Sequence, residues 1–169
     1  TNREFTMILR AVKSNDAAEI AAIYNEYVLN SIITFETESV SADEINERIE
    51  QSQQSSMPWV VAESESGAVL GYAYASKWKG RCAYALSVEV TVYISSSAHG
   101  KGVGSALYKS LFEQLKTKKY HVAIAGISLP NEASIRLHEK FGMKKVAHFE
   151  EIGFKFNQWI DVGYWQVVL

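Results

Sequence analysis

Three glycines at alternate positions stand just ahead of a helical pattern in SSSAHGKGVGSALYKSLFEQL, residues 95–115. No other stretch restricts the fold so tightly. Gly100, Gly102 and Gly104 offer bare backbone N–H groups and tolerate positive φ, and a helix N-terminus carries partial positive charge. Together they predict a cradle for a phosphate-bearing ligand. Behind the loop, Val103, Ala106, Leu107, Ser110, Leu111 and Leu115 recur at helical spacing, a stripe suited to packing on a sheet.

The flanking sequence supplies that sheet. Residues 7–13 read as a first strand. A helix follows, with Asn15 or Asp16 as its cap and Ile20, Ile23, Tyr24, Tyr27 and Val28 along one face. Residues 29–39 form an irregular apolar connection, and Ser41 with Glu44 makes a capping-box pattern for a second helix. Residues 58–78 divide into two strands at Ser66-Gly67, an antiparallel hairpin. Residues 84–95, rich in β-branched and aromatic side chains, make a longer strand ahead of the glycine loop. Beyond the loop's helix comes a nearly all-apolar strand at 121–128, as expected where both faces are covered. Asn131 caps a short helix that Gly142 ends, and two strands span about 144–156 and 159–169. The order is β-α-α-β-β-β-α-β-α-β-β, an α/β fold with a mixed, mostly antiparallel sheet and helices on both faces.

A stripe of that kind needs a core to join. With 169 residues and 47% apolar side chains, the chain provides one, most simply as a single domain over 7–169. Residues 1–6 read as an added or disordered extension, with Met7 as the natural start. Seventeen basic against nineteen acidic side chains leave a formal charge of −2, which excludes a general attraction to nucleic acid or anionic membrane. Uncharged apolar runs fall short of the about 18 residues of a membrane span. Cys82 is the single cysteine, so the expected setting is a reducing cytoplasm, with Cys82 a packed small residue rather than a nucleophile. The histidines at 99, 121, 138 and 148 lack metal-ligand spacing, and no metal is expected.

Which phosphate ligand suits the loop? The G-x-x-x-x-G-K-[ST] of a phosphate-binding NTPase loop is absent. A dinucleotide G-x-G-x-x-G fails at its third glycine from either Gly100 or Gly102, and the stretch near residue 120 offers no acid for a ribose. His99 to Gly104, a polar-x-x-G-x-G loop between a long strand and a helix, instead resembles the GCN5-related N-acetyltransferases, with His99 where Gln or Arg is commoner. SVEVTVYIS ahead of the loop, NEASIRLHEKFGM after it, SKWKGRCAY upstream and GFKFNQWIDVGYWQVVL at the end narrow the likeness. They resemble the phosphinothricin and methionine sulfoximine acetyltransferase family, as does IYNEYVLNSIITFETE near the start. The resemblance implies acetyl-CoA as co-substrate, a small amino acid analogue as acceptor of the acetyl group on its α-amine, and a homodimer. Within the fold, a protein N-terminus or a polyamine is the alternative acceptor. A CoA-binding sensor without catalysis is the alternative class.

Several positions acquire expected roles. Glu89 shares a strand face with Thr91 and Tyr93, opposite Val88, Val90 and Val92. That pattern alone suits an outward-pointing side chain, whereas the resemblance implies the general base. Backbone amides near Val90 and Val92 are implied to polarise the thioester carbonyl. The amides of Gly100, Gly102, Val103, Gly104 and Ser105, with His99 and Lys101, are implied to hold the pyrophosphate, although Lys101 also reads as a solvated loop lysine. Asn131 is implied to hold the pantetheine arm as well as to cap its helix. His138 reads equally as a proton donor to the leaving thiolate or as a packing residue. For the acceptor, Lys77, Lys79 and Arg81 alternate, and in an extended strand would point one way. Of these Lys79 and Arg81 are expected to meet a carboxylate or phosphinate, with Trp78, Tyr84 and Val88 as walls. Phe35 and Glu36 resemble the family's acceptor-facing loop. Trp159 and Trp165 suit either a partner subunit or the core.

Overall fold

Alternating and helical apolar patterns become elements close to where the sequence predicts them. The computed structural model describes residues 5–169, so most of the expected N-terminal extension lies outside the described residues. β1 (Met7–Ala11) leads through a 3-10 turn to α1 (Ala17–Asn30) and α2 (Ala42–Gln54). β2 (Trp59–Ser64), β3 (Val69–Lys77) and β4 (Ser87–Ile94) follow, then α3 (Val103–Thr117) and β5 (Val122–Ser128). α4 (Glu132–Lys140), β6 (Lys144–Lys155) and β7 (Gln158–Val168) complete the chain.

Local chemistry explains the boundaries. Ser41 Oγ accepts the Glu44 N–H at 3.1 Å, one arm of the expected capping box; the Glu44 carboxylate turns instead to Arg48 at 2.9 Å. Asn131 Oδ1 accepts the Ser134 N–H at 3.1 Å and opens α4. Gly67 turns the β2–β3 hairpin with φ +86°, and Gly142, with φ +81°, ends α4. Asp16 does not cap α1 with its side chain. Its carboxylate accepts the Lys13 N–H at 2.8 Å and two bonds from Arg10, at 2.7 and 2.8 Å.

Among the described residues, seven strands form one sheet in the order β1-β2-β3-β4-β5-β7-β6, with β4 and β5 the parallel pair. Alternation sorts side chains to two cores. On one face α1 and α2 cover Trp59, Val61, Val69 and Tyr72. On the other, α3 covers Val60, Ala62, Ala73, Ala75, Val88 and Val90. Leu107, Leu111 and Leu115 of α3 are fully buried, each worth roughly 1.5–3 kcal/mol relative to exposure. The buried stripe of α3 runs through Tyr108 and Phe112, while the expected Ala106 and Ser110 are only half-buried at its margin. Among the described residues no helix is long and apolar enough to cross a membrane.

Candidate active site

The sheet divides in its middle. β4 pairs with β5 only from Ser87↔Val122 to Glu89↔Ile124, although β3 accompanies β4 to Ile94 and β7 accompanies β5 to Ser128. Past Glu89 the two strands part, which releases the backbone amides on one side of β4 and opens a fork. A cavity of about 780 Å³ occupies it. Ile33, Thr34 and Phe35 line it from the α1–α2 loop, Trp78 and Lys79 from the β3–β4 connection, and Glu89 to Tyr93 from β4. The other wall brings Asn131, the cap of α4, and Ser134 and His138 within it together with Phe149, Ile152 and Tyr164 of β6 and β7.

Glu89 is half-buried in this wall, so the expected outward-pointing alternative does not describe it. Burial raises its carboxyl above the ordinary value, and the Lys79 ammonium opposes the rise. The phenol of Tyr164 is raised as well, by burial and then by the Glu89 charge. A carboxylate that is reluctant to ionise but not prevented from doing so is suited to take a proton near neutral pH.

His138 is buried at the α4 side. Its Nδ1 lies 2.7 Å from the Ser134 carbonyl oxygen, a pure acceptor, so this nitrogen carries the hydrogen. Nε2 is then the acceptor for the Tyr108 hydroxyl at 2.8 Å. Burial lowers the imidazole below its ordinary value, against the Ser134 carbonyl. In this neutral tautomer Nε2 has no proton to give, which counts against a direct general-acid role.

The glycine loop begins just beyond the end of β4. Gly100 and Gly102 have φ of +75° and +76°, and a Cβ at either would meet open space. Their glycine identity therefore answers to backbone conformation. Gly104 differs: a Cβ there would lie 3.2 Å from Leu137 Cδ2, so its smallness lets α3 approach α4. Gly102 occupies the N-cap and offers no side-chain acceptor. The first N–H groups of α3, from Val103, Gly104 and Ser105, therefore face outward as a helix N-terminus does, a fit for a pyrophosphate. His99 Nε2 lies 3.1 Å from Tyr27 Oη and 3.2 Å from the Ile94 carbonyl, which ties the loop to α1. Lys101 Nζ sits 5.0 Å from the centre of the Phe5 ring. Ser105 Oγ accepts from Lys140 Nζ at 3.0 Å.

Residues 9–163, which contain the fork and the glycine-led helix, match a family model described as the acetyltransferase (GNAT) domain. The chain belongs to the GNAT acetyltransferases. This acetyltransferase is 41% identical over 154 residues to the phosphinothricin N-acetyltransferase of Streptomyces coelicolor, which spans 89% of the chain and 90% of that protein. It is 34% identical over 163 residues to the L-methionine sulfoximine/L-methionine sulfone acetyltransferase of Salmonella typhimurium, at 96% and 95% coverage. Among solved structures, the phosphinothricin acetyltransferase of Sinorhizobium meliloti in complex with acetyl-CoA superposes with a TM-score of 0.94 and 36% identity, covering 97% of this chain and 89% of that one.

Not every expected residue of the acetyltransferase reaches the cavity. Val88 is fully buried in the α3-facing core, because strand alternation puts it on the face opposite Glu89. Glu36 turns to α2, where Arg48 holds it; against the cost of burial, that guanidinium keeps its carboxyl below the ordinary value. The three alternating cations do not share a face, since β3 ends at Lys77 and the chain then bends. Lys77 lines a separate cavity beside α2, and only Lys79 lines the fork. Arg81 and Tyr84 are exposed outside the lining. Cys82 is also exposed, because the 3-10 turn over Cys82–Tyr84 lies off the sheet. Trp165 is core, at 2% exposure, whereas Trp159 is 63% exposed. Sequence reasoning overlooked Tyr108 and Tyr164. Tyr108 falls between the expected stripe positions of α3, and its one available signal was a hydroxyl in an otherwise apolar helix face.

Proposed function

We propose that this acetyltransferase moves the acetyl group of acetyl-CoA to the α-amine of a small amino acid analogue of the phosphinothricin or methionine sulfoximine type. The observation that carries the reading is Glu89, a carboxylate set at the point where β4 and β5 part and facing a cavity of about 780 Å³, which has room for a small amino acid analogue beside a pantetheine arm. The relatives' names support the acceptor class.

Bound acetyl-CoA would supply a thioester, and the chain's residues would do the rest. The N-terminal amides of α3 with Gly100 and Gly102 hold the pyrophosphate, and Asn131 flanks the pantetheine arm. An amide freed between Val90 and Val92 donates to the thioester oxygen as charge develops there. The acceptor's α-amine is largely protonated at neutral pH and must lose a proton to attack, and Glu89 accepts it, directly or through one water. The amine nitrogen forms the new C–N bond, and the C–S bond breaks to release CoA thiolate. Lys79 meets the acceptor's carboxylate or phosphinate between Trp78 and Phe35. Residues 7–169 act as one domain in this reading, within the cytoplasm. The partner is a second copy of the chain, supported by the exposed apolar side chains of Phe154 on β6, Trp159 on β7 and Phe156 in the turn between them.

The test is acetyl-CoA-dependent thiol release with phosphinothricin, methionine sulfoximine, spermidine and a peptide amine, repeated with Glu89→Gln. Saturable release confined to the two amino acid analogues is expected. Glu89→Gln should lose on the order of 10²–10⁴ in rate while retaining acetyl-CoA affinity. Preference for spermidine or the peptide, or no release at all, would overturn the acceptor assignment.

A further inference from the structure

We propose that Lys155 and Gly153 are positioning residues that clamp the α1–α2 loop across the fork and thereby set the room available to the acceptor. The inference rests on the reading of the cavity as the acceptor site.

The fork leaves the sheet in two portions, β1 to β4 and β5-β7-β6, joined at the short parallel ladder. The α1–α2 loop travels with the first portion, since α1 packs on β3 and β4. β6 is the outer strand of the second. Two contacts span the gap between them, and both fall on adjacent residues of the loop.

The first is a hydrogen bond from Lys155 Nζ to the Thr34 carbonyl oxygen at 2.8 Å. Lys155 ends an alternating strand where a lysine ordinarily reaches water, yet it is only 4% exposed. Burying an ammonium against a neutral carbonyl is costly, and an apolar side chain would fill the same space more cheaply. Glu36, the carboxylate whose charge favours the ammonium, is itself bound to Arg48. Burial correspondingly lowers Lys155 below its ordinary value, with Glu36 opposing. What the lysine secures is the loop. The same Thr34 is held from the opposite side, where Tyr24 Oη of α1 lies 2.8 Å from its Oγ1. Thr34 is thus braced between the two portions of the sheet.

The second contact is Phe35 on Gly153. A Cβ at Gly153 would overlap the Phe35 ring, so glycine is required for that ring to lie against β6. Gly153 marks the end of a break in the β6–β7 register that begins at Phe149, the kind of irregularity that re-aims a strand edge. Thr34 and Phe35 both line the cavity. Releasing either contact would loosen this wall of the acceptor space from the second portion of the sheet, and releasing both would leave it attached to the first only.

Lys155→Met keeps the stem and removes the donor, whereas Gly153→Ala displaces the ring and leaves the lysine in place. Each is assayed for KM of methionine sulfoximine, KM of acetyl-CoA and kcat, and for hydrogen exchange of backbone amides across 31–38. Loss of a charge-assisted bond predicts a rise in acceptor KM on the order of ten-fold, an unchanged acetyl-CoA KM, broader acceptance of bulkier amino acid analogues, and faster exchange in the loop. A Lys155→Met enzyme that melts like the parent and keeps the parent's acceptor KM and loop exchange would overturn the clamp. If Lys155→Met does not fold, the same readouts on Gly153→Ala decide. If the parent acetylates no amine, the acceptor reading has failed by itself. The exchange data then stand alone, faster exchange sustaining the clamp and unchanged exchange refuting it.

Discussion

In the proposed mechanism, Glu89 and Lys79 form the pair of side chains whose balance sets the pH dependence of the reaction. A base acts only when deprotonated, and burial keeps Glu89 protonated to higher pH than an ordinary glutamate, near about 4.3. Activity should therefore climb with pH through this raised value. Lys79 holds the rise in check, so Lys79→Met should move the acidic limb of kcat to higher pH. Profiles of kcat against pH, which report groups in the bound complex, check this; a limb at an unchanged position would uncouple the two side chains. His138 leads to a different expectation. Its Nε2 accepts from Tyr108, so His138→Gln should reduce kcat by less than Glu89→Gln does. An equal or larger loss at saturating acetyl-CoA would restore the imidazole as an obligatory proton donor.

Among the elements, α3 is the one whose first turn is proposed to hold the pyrophosphate. Gly102 sits at its N-cap in the left-handed region, and nothing around it would clash with a methyl group. Gly102→Ala should consequently act through backbone strain, costing about 1–2 kcal/mol and raising the KM for acetyl-CoA while the KM for the amine stays put. Calorimetry and steady-state kinetics test the two halves of that expectation. Elements of this kind were legible from the chain alone because their signals are local. Ser41 and Asn131 mark helix starts, Gly67 marks a hairpin, and alternation placed Glu89 opposite Val90 and Val92. Partnership between distant strands leaves no such trace. Val90 and Val92 look the same in a sequence whether or not β5 stays beside them, so the fork could be anticipated by resemblance but not by pattern. Glu36 and Lys155 mislead for a related reason. Glu36 is expected toward the acceptor and Lys155 stands out by no pattern, and each takes its orientation from a partner in another element, Arg48 or the Thr34 carbonyl.

At the scale of the whole molecule, one ion-pair cluster stitches the first strand to the rest. Arg10 bridges Asp16 and Glu63, joining β1, the entry to α1 and β2. Asp16 is almost wholly buried; against the cost of that burial, Arg10 and the Lys13 N–H hold its carboxyl below the ordinary value. The folded group binds its proton less readily than the unfolded one. Its contribution to stability is therefore present above the ordinary aspartate value of about 3.9 and is lost as pH falls through the lower folded value. Asp16→Asn leaves a guanidinium half-partnered and should cost about 3 kcal/mol at neutral pH, the low end for a broken buried pair because Arg10 keeps Glu63. Urea unfolding of the parent and Asp16→Asn should differ at pH 7 and converge in strong acid.

The parted strands β4 and β5 carry one further consequence, for any attempt to make this chain more heat-resistant. Their ladder stops after Glu89↔Ile124 although both strands continue. Lengthening it would satisfy more backbone and strengthen the fold, but the added rungs would fill the space proposed for the reaction. Robustness and turnover are therefore opposed at this seam. Variants selected for survival at high temperature with activity retained should gather their gains on the α1 and α2 surfaces and in the β2–β3 hairpin. Variants selected for survival alone should knit the seam shut.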